Sequence, residues 1–329
     1  MAILVLGGAG YIGSHTVYEL IEAGREVIVA DNLQTGFRAA VHPDARFYQL
    51  DIRDRKALDR LFETETVEGV IHFAASSQVG ESMTDPLKYY DNNLCGTACL
   101  LQAMVAHKAD KIVFSSTAAV YGEPKRVPIM ESDPTQPENC YGETKLAMET
   151  MMRWTARAHG LRHASLRYFN ACGAHPSGLI GEAHDPESHL IPLVLQVANG
   201  QRARISVFGS DYDTRDGSCI RDYIHVSDLA RAHILALDYL SAGGENDVFN
   251  LGSGVGFTVK EIIEVARRVT GHPIPAAEEA RRPGDPAVLV ASSEKAKSLL
   301  GWQPRYGSIE DIISSAWRWH AAHPNGYGI

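Results

Sequence analysis

The sequence lacks clustered positive charge and long apolar runs, and both absences limit what the protein can bind. Its 329 residues contain 31 Lys+Arg against 40 Asp+Glu, a net charge of −9, and no basic block stands out. Nucleic acids and anionic membranes are bound through such blocks, so we expect neither as a partner. No apolar run approaches the ~18 residues of a membrane span. The short apolar start at residues 2–6 runs into glycines without a basic flank, which predicts a buried strand rather than a signal peptide.

Cysteine is also scarce, and its spacing argues against two further classes. The five cysteines are an odd number scattered along a large chain: Cys95, Cys99, Cys140, Cys172 and Cys219. Cys95 and Cys99 have no second Cys or His pair at the spacing of a zinc site, so we expect no bound metal. A disulfide framework is not expected either, and a reduced cytoplasm is the simplest setting.

What the sequence does have is a glycine-rich turn close to its beginning. Gly7-Gly8-Ala9-Gly10-Tyr11-Ile12-Gly13 follows an apolar strand and opens a helical pattern that ends near Gly24. A second strand, residues 25–30, ends at Asp31. Small residues and a helix N-terminus can hold a pyrophosphate, and Asp31 can accept hydrogen bonds from a ribose while repelling a 2′-phosphate. The pattern therefore favours NAD over NADP, although such a turn can also serve packing alone.

Strands and helices go on alternating through the first half of the chain. The pattern predicts strands at 47–50, 69–73 and 111–114 and helices at 56–64 and 92–106. This repetition is typical of a Rossmann-type α/β fold with a doubly wound parallel sheet. Ligands bind outside the carboxyl ends of such strands, where Asp51-Ile52, Ala74-Ala75 and Ser115-Ser116-Thr117 fall. In the second half, helices are predicted at 190–198, 227–240 and 259–270 and short strands at 205–209 and 248–251.

Tyr141 and Lys145 are the candidates for proton chemistry. They are four residues apart, which on a helix places both side chains on one face. A nearby lysine favours the phenolate and lowers a tyrosine pKa that is ordinarily near 10, so Tyr141 could take a proton from an alcohol. Thr117 could hold that alcohol against the phenol. Alternatively, Tyr141 is a half-buried ring beside a solvated lysine, and Ser115 and Thr117 merely cap a turn.

These residues resemble the extended short-chain dehydrogenase/reductase superfamily and, within it, the UDP-glucose 4-epimerases. The resemblance covers nearly the whole chain, and its most specific parts are Tyr168-Phe169-Asn170 and Gly173-Ala174-His175-Pro176-Ser177-Gly178. Further matching motifs are Val79-Gly80-Glu81-Ser82, Asn92-Asn93, Arg221-Asp222-Tyr223-Ile224-His225-Val226, Asn250-Leu251-Gly252 and Arg282-Pro283-Gly284-Asp285. The resemblance implies interconversion of UDP-galactose and UDP-glucose, as in galactose metabolism, through a transient 4-keto sugar and bound NAD+.

The resemblance also implies which residues bind each molecule. The cofactor residues would be Gly7, Gly10, Tyr11, Ile12, Gly13, Asp31, Asn32, Asp51, Ile52, Phe73, Ala74, Ala75, Asn92, Ser115, Tyr141, Lys145 and Tyr168. The UDP-sugar residues would be Thr117, Tyr141, Phe169, Asn170, His189, Leu190, Val207, Phe208, Arg221, Tyr223, Arg282 and Asp285. Arg221 and Arg282 suit a diphosphate, because guanidinium groups match phosphate oxygens in a bidentate way. Alternatively, they are surface arginines, and Phe208 is a core residue rather than a uracil contact.

Four positions bear on which reaction and sugar to expect. Related dehydratases and decarboxylases carry acids after the threonine, whereas this chain has Ala118 and Ala119, which can transfer no proton. Some family members have a lysine at Ser77 and an asparagine at His189. Strict glucose/galactose enzymes have a bulky aromatic where Leu289 aligns, so N-acetylated sugars remain an alternative, as do uronates and pentoses. A non-enzymatic alternative is an NAD-sensing regulator.

The expected organisation is two domains and a dimer. Residues 1–169, with a returning segment at about 219–252, would form the NAD-binding domain. Residues 170–218 and 253–329 would form a smaller α/β domain for the UDP-sugar. The family is dimeric through two long helices, so the resemblance implies a homodimer through residues 92–106 and 141–158.

Overall fold

The computed structural model describes residues 1–282 and 285–328. Pro283 and Gly284 of the Arg282–Asp285 motif, and the last residue of the predicted second domain, lie outside the described residues. The strands are β1 Ala2–Leu6, β2 Val27–Asp31, β3 Arg46–Gln49, β4 Val67–His72, β5 Lys111–Ser115, β6 Arg162–Tyr168, β7 Asn170–Cys172, β8 Ile205–Phe208, β9 Ile220–Arg221, β10 Tyr223–His225, β11 Asp247–Leu251, β12 Phe257–Thr258, β13 Ala276–Glu279 and β14 Val288–Leu289. The α-helices are α1 Tyr11–Glu22, α2 Arg55–Thr64, α3 Val79–Thr84, α4 Pro86–Tyr89, α5 Gly96–Ala106, α6 Cys140–His159, α7 Leu190–Ala198, α8 Val226–Ser241, α9 Val259–Thr270 and α10 Ile309–Ala322.

A seven-stranded parallel sheet forms the centre of the protein and confirms the predicted Rossmann-type fold. The strand order is β11-β6-β5-β4-β1-β2-β3, so the chain reverses direction across the sheet between β1 and β4. All five residues of β1 are buried, because helices and apolar clusters cover both faces of the sheet. The reversal point is where a doubly wound sheet leaves a crevice for a ligand.

Two elements of the first half differ from the sequence expectations. The helix predicted at residues 92–106 is preceded by α4 and by a π-helical turn, Tyr90–Cys95, and becomes α-helical only at Gly96. The wider turn buries Asn93, whose side-chain amide donates to the carbonyl of Ser76 and to Oγ1 of Thr144. β6 was not predicted as a strand. Its buried residues include the charged Arg167, whose ion-pair partner Glu149 lies on α6.

The second part of the chain builds a smaller α/β unit from short strands and three helices. β8 pairs with β13, β7 pairs with β10, and β9 lies between β12 and β14. α7, α9 and α10 pack on one another around an apolar cluster that includes Val194, Ile263 and Ile313. β11 returns to the central sheet beside β6, and α8 packs against α1. The residues of β9 and β10, in contrast, pair outside the central sheet.

Hydropathy along the helices gives no sign of a membrane span. Among the described residues, no helix is both long enough and apolar enough to cross a membrane.

Candidate active site

Most residues expected to bind a cofactor lie at or just after the carboxyl ends of strands in the central sheet, whereas Asn92 lies in the π-helical turn and Tyr141 and Lys145 lie on α6. The glycine turn follows β1, Asp31 ends β2, Asp51-Ile52 follow β3, Phe73-Ala74-Ala75 follow β4, and Ser115 and Tyr168 end β5 and β6. Parallel strands place these ends along one edge of the sheet. The fold therefore brings together residues that are up to about 160 positions apart in sequence, as parallel α/β sheets do.

The glycine turn is too tight for side chains at Gly7, Gly8 and Gly13, and at Gly7 and Gly13 the obstructing atoms belong to the backbone. Gly7 has φ of +78°, and a Cβ there would lie 2.6 Å from the backbone nitrogen of Ala74. A Cβ on Gly13 would lie 2.1 Å from the carbonyl oxygen of Gly7, so α1 packs directly on the turn. Gly10 is the N-cap of α1, and among the described residues no side chain caps that helix. Backbone N–H groups at this end are thus free for an anion such as a pyrophosphate.

Asp31 connects the turn to the second strand. Its Oδ2 accepts a hydrogen bond from the Ala9 backbone N–H at 3.0 Å, and Oδ1 accepts one from Leu33 N–H at 2.8 Å. The residue is 8% exposed, and burial raises the pKa of its carboxyl despite those two hydrogen bonds. Asn32 donates to Asp51 at 3.1 Å, which joins the second and third strand ends. These acceptors fit the adenosine end of a dinucleotide.

Tyr141 and Lys145 lie in the first turns of α6, and Thr117 lies opposite them at the end of β5. Asn139 caps α6 by accepting a hydrogen bond from Gly142 N–H at 2.8 Å. Lys145 is 3% exposed, and its Nζ lies 5.8 Å from the centre of the Tyr141 ring. Nζ donates to the carbonyl oxygen of Ser115 at 2.8 Å. The structure thus places the three predicted side chains together, and Lys145 is a buried residue rather than a solvated one.

The acidities of the pair differ from the sequence prediction. Burial raises the pKa of Tyr141 to about 12, and a hydrogen bond with Thr117 opposes that shift without cancelling it. Burial lowers the pKa of Lys145 to about 7, although the nearby Glu149 carboxylate opposes this. The expected lowering of the Tyr141 pKa by Lys145 is not seen in the protein without its cofactor, where burial has the largest effect and Nζ donates to the Ser115 carbonyl.

A buried network behind Lys145 was missed by the sequence reasoning. Arg167 donates to both carboxylate oxygens of Glu149, at 2.9 and 2.6 Å, and to the Tyr121 hydroxyl at 2.9 Å. Tyr121 donates to Oδ1 of Asn250 at 2.7 Å. Ser116 also donates to Glu149, at 2.5 Å. The signal available in the sequence was the i,i+4 spacing of Glu149 from Lys145, which places both on one face of α6.

Two polar side chains fix the backbone around Tyr141. Oγ of Ser82 accepts a hydrogen bond from the Tyr141 N–H at 3.1 Å, which ties α3 to the start of α6. Asn93 reaches Thr144 from the π-helical turn at 3.0 Å. Ser115 holds Tyr168 by a hydroxyl–hydroxyl hydrogen bond of 2.5 Å. Ser82 and Asn93 belong to the resembling motifs, but their role as supports for the base becomes visible only in three dimensions.

On the substrate side, the charged candidates lie in the smaller unit. Nη2 of Arg221 donates to Oδ1 of Asp285 at 2.5 Å, and Nη1 donates to the Ile220 carbonyl at 2.8 Å. The guanidinium of Arg282 lies 3.9 Å from the centre of the Phe208 ring. Arg221 is thus paired with Asp285, and Arg282 with Phe208. Binding of the expected diphosphate or uracil would replace or extend these contacts.

Other predicted residues serve packing through their side chains. Val207 and Tyr223 are 2% and 4% exposed and belong to the apolar cluster of the smaller unit. The Tyr11 hydroxyl donates to the Gly173 carbonyl at 2.6 Å, away from the glycine turn. The ring of His189 lies against Glu187 and Glu182. The side chains of these four residues contact other parts of the protein in this structure, and their contacts with a ligand stay predictions.

Apolar side chains surround the position next to Thr117. Ala118 is buried in a small cluster with Val120, Tyr121 and Ile129, and Phe169 and Leu289 pack against it. No acid occupies positions 118 and 119, so the chain offers no proton donor where dehydratases need one. Phe169 and Leu289 thus pack against a cluster that begins at the residue after Thr117, and a role of Leu289 in sugar choice stays a prediction.

The parallel sheet, the free helix end at the glycine turn and the Thr117–Tyr141–Lys145 set define a dinucleotide-dependent enzyme that acts on an alcohol. A sequence model of the NAD dependent epimerase/dehydratase family matches residues 3–252. The chain belongs to this family and is therefore an NAD-dependent enzyme, which argues against the non-enzymatic regulator.

Similar proteins point in the same direction. The UDP-glucose 4-epimerase of Halalkalibacterium halodurans is 62% identical over 327 residues, 99% of this chain and 98% of that protein. A crystal structure of a UDP-glucose 4-epimerase has a TM-score of 0.99 and 56% identity, covering 100% of both chains. The enzyme from Bifidobacterium longum, solved in complex with NAD+ and UDP, has a TM-score of 0.94 and 41% identity, covering 99% of this chain and 100% of that one.

Proposed function

We propose that the protein is a UDP-sugar 4-epimerase whose main reaction is the interconversion of UDP-galactose and UDP-glucose. The observation that carries this proposal is the placement of Tyr141, Thr117 and Lys145 at the sheet edge with Ala118 and Ala119 beside them. Such a site can move a proton and a hydride but has no acid for elimination. Three relatives that are 57–62% identical over nearly the whole chain bear the name UDP-glucose 4-epimerase.

The chemistry of the protein's own residues begins with Tyr141. As the phenolate, it takes the proton of the sugar 4-hydroxyl, which Thr117 orients through its side-chain hydroxyl. NAD+, when bound, would accept the hydride of the sugar C4 and return it. Lys145, which is buried and donates to the Ser115 carbonyl, would bind the nicotinamide ribose. The proton on Tyr141 is given back when the 4-keto sugar is reduced.

Epimerisation also requires that the sugar present its other face before reduction. The nucleotide must stay anchored while the sugar turns about the diphosphate. Arg221, Arg282 and Asp285 supply charged groups for the uridine diphosphate, whereas the surroundings of Thr117 are mainly apolar. Apolar surroundings form few directed contacts with a sugar, and this would allow the sugar to rotate.

The deciding experiment is turnover of the purified protein on a panel of UDP-sugars, with and without added NAD+. UDP-galactose and UDP-glucose should interconvert, and the product should carry no lost water or carbon dioxide. If the protein turned over a UDP-uronate or UDP-pentose but not UDP-galactose or UDP-glucose, the proposed substrate would be wrong. Turnover on N-acetylated sugars measures the breadth that Leu289 permits, and Leu289→Tyr should lower it relative to UDP-glucose.

We also infer a homodimer in the cytoplasm. α3 and α4 pack against α6 and, with the π-helical turn and α6 itself, present exposed apolar side chains: Val79, Met83, Leu87, Tyr90 and Trp154. Leu87 is 76% exposed and Trp154 is 58% exposed, and burying such side chains against a second chain would favour association. Light scattering after size exclusion tests the dimer, and Trp154→Glu should shift it to the monomer.

A further inference from the structure

Four side chains of the types that bind metals lie together in the loop between β7 and α7, and one of them, His189, is also among the residues expected to bind the UDP-sugar. They are Glu182, His184, Glu187 and His189, and one ligand atom from each lies within 4.8 Å of the others. Nδ1 of His184 is 3.4 Å from a carboxylate oxygen of each glutamate. Nδ1 of His189 is 3.1 Å from Glu182 and 2.9 Å from Glu187. The cysteine spacing predicted no metal site, but this cluster is built from histidine and glutamate.

Glu182 supplies a second, independent observation. The residue is 3% exposed, and its Oε1 accepts no hydrogen bond from any of the described residues. This oxygen faces the two Nδ1 atoms of His184 and His189. A buried carboxylate without a hydrogen bond is costly, and proteins compensate such groups with an ion pair or a bound metal.

We propose that Glu182, His184, Glu187 and His189 bind a divalent transition-metal ion of the zinc type. Zinc takes four nitrogen and oxygen ligands at about 2.0–2.2 Å in a tetrahedron, which separates neighbouring ligand atoms by roughly 3.3 Å. The four histidine–carboxylate distances here are 2.9, 3.1, 3.4 and 3.4 Å. The four ligand atoms lie within 4.8 Å of one another, so binding an ion would require the side chains to move closer together.

The position of the cluster indicates a structural role. His184 lies 6.1 Å, centre to centre, from the ring of Tyr11, which follows the glycine turn. Tyr11 in turn donates to Gly173 at the start of the same loop. His189 immediately precedes α7, the first helix of the smaller unit. The ion would hold this loop against the cofactor-binding end of α1, and the inference does not depend on the identity of the sugar.

The test measures zinc uptake by the tag-free full-length protein. After chelation and dialysis, the wild type should take up one Zn²⁺ per chain from zinc chloride, as read by elemental analysis, and its melting temperature should rise. Removal of one ligand in His184→Ala should weaken zinc binding by more than the about 10–100-fold that changes outside the ligand shell cost. Glu182→Gln provides a second test in case the His184→Ala variant does not fold. It keeps the shape of the side chain and should also weaken zinc binding.

His159→Ala is the matched control, because His159 is an exposed histidine at the end of α6. It should take up zinc like the wild type. Wild-type protein that binds no more zinc than the Glu182→Gln variant, or whose melting temperature is unchanged by zinc, would overturn the proposal. The four side chains would then be ion pairs only.

Discussion

The cofactor side and the substrate side of the site are built in different ways. On the cofactor side, Asp31, Ser115 and Lys145 are at most 8% exposed and lie at strand ends or on α6. On the substrate side, Arg221 lies on a two-residue strand, and Arg282 lies outside regular structure and is exposed. The first region is fixed by a continuous sheet and by buried hydrogen bonds, whereas the second depends on ion pairs between short segments.

This difference suits the proposed reaction, in which the NAD stays in place while the sugar turns about its diphosphate. A buried, fully paired setting holds a cofactor and its base in one geometry. Partly exposed arginines can exchange a carboxylate partner for a phosphate without leaving a buried charge. We therefore expect substitutions on the two sides to change different quantities, and four experiments test that expectation.

The largest effect is expected at the base. Tyr141→Phe removes the group that takes the sugar proton, and loss of a general base costs on the order of 10²–10⁴-fold in turnover. Retained NAD, measured by absorbance of the released nucleotide, would show that the cofactor side is intact. Tyr239→Phe is the matched control, because its hydroxyl accepts from Glu245 N–H outside the site. Near-normal turnover of Tyr141→Phe would refute the assigned role.

Next comes the buried ion pair behind Lys145. Glu149→Gln leaves Arg167 as a buried charge without its counter-ion, and breaking such a pair costs about 3–5 kcal/mol of unfolding free energy. Urea denaturation measures this cost. Glu68→Gln breaks the partly exposed pair with Arg25 and should cost only about 0.2–1 kcal/mol. Equal costs for the two variants would remove the contrast between a buried and an exposed setting.

On the substrate side, Arg221→Gln should raise KM for UDP-sugars and leave NAD content unchanged. A hydrogen bond to a charged group contributes about 1.5–3 kcal/mol, which corresponds to roughly 10–100-fold in affinity. Arg60→Gln, an exposed arginine on α2, controls for the loss of one positive charge. If Arg221→Gln lost NAD while its KM for UDP-sugars stayed constant, Arg221 would belong to the cofactor side, and its role in substrate binding would be contradicted.

The smallest effect concerns pH and the cofactor-free protein. The pKa of Lys145 falls to about 7 on folding because of burial, from an ordinary value of 10.5. Between these values the unfolded chain binds more protons, so this group makes stability rise with pH, by up to about 1.4 kcal/mol per pH unit. The unfolding free energy of the wild type minus that of Lys145→Met should rise from pH 7 to pH 10. A flat or falling difference would contradict the burial of an uncharged lysine.

The sequence by itself determined the features that depend on neighbours along the chain. The glycine turn, the alternation of strands and helices, and the spacing of Tyr141 and Lys145 are local patterns, because a turn conformation or a helix face is set within a few residues. These patterns sufficed for the parallel sheet and the cofactor class, and they predicted the set of Thr117, Tyr141 and Lys145.

Only the tertiary structure decided which distant side chains meet and which charges are desolvated. Tyr121 and Asn250 are 129 positions apart, and Arg221 and Asp285 are 64 apart, so no local pattern announces either pair. The raised pKa of Tyr141 follows from burial, which spacing does not reveal. Glu182, His184, Glu187 and His189 are close in sequence, but only the folded loop brings one ligand atom of each within 4.8 Å of the others. Hydrogen bonding and desolvation act through space, and for that reason these features could not be predicted from the order of residues.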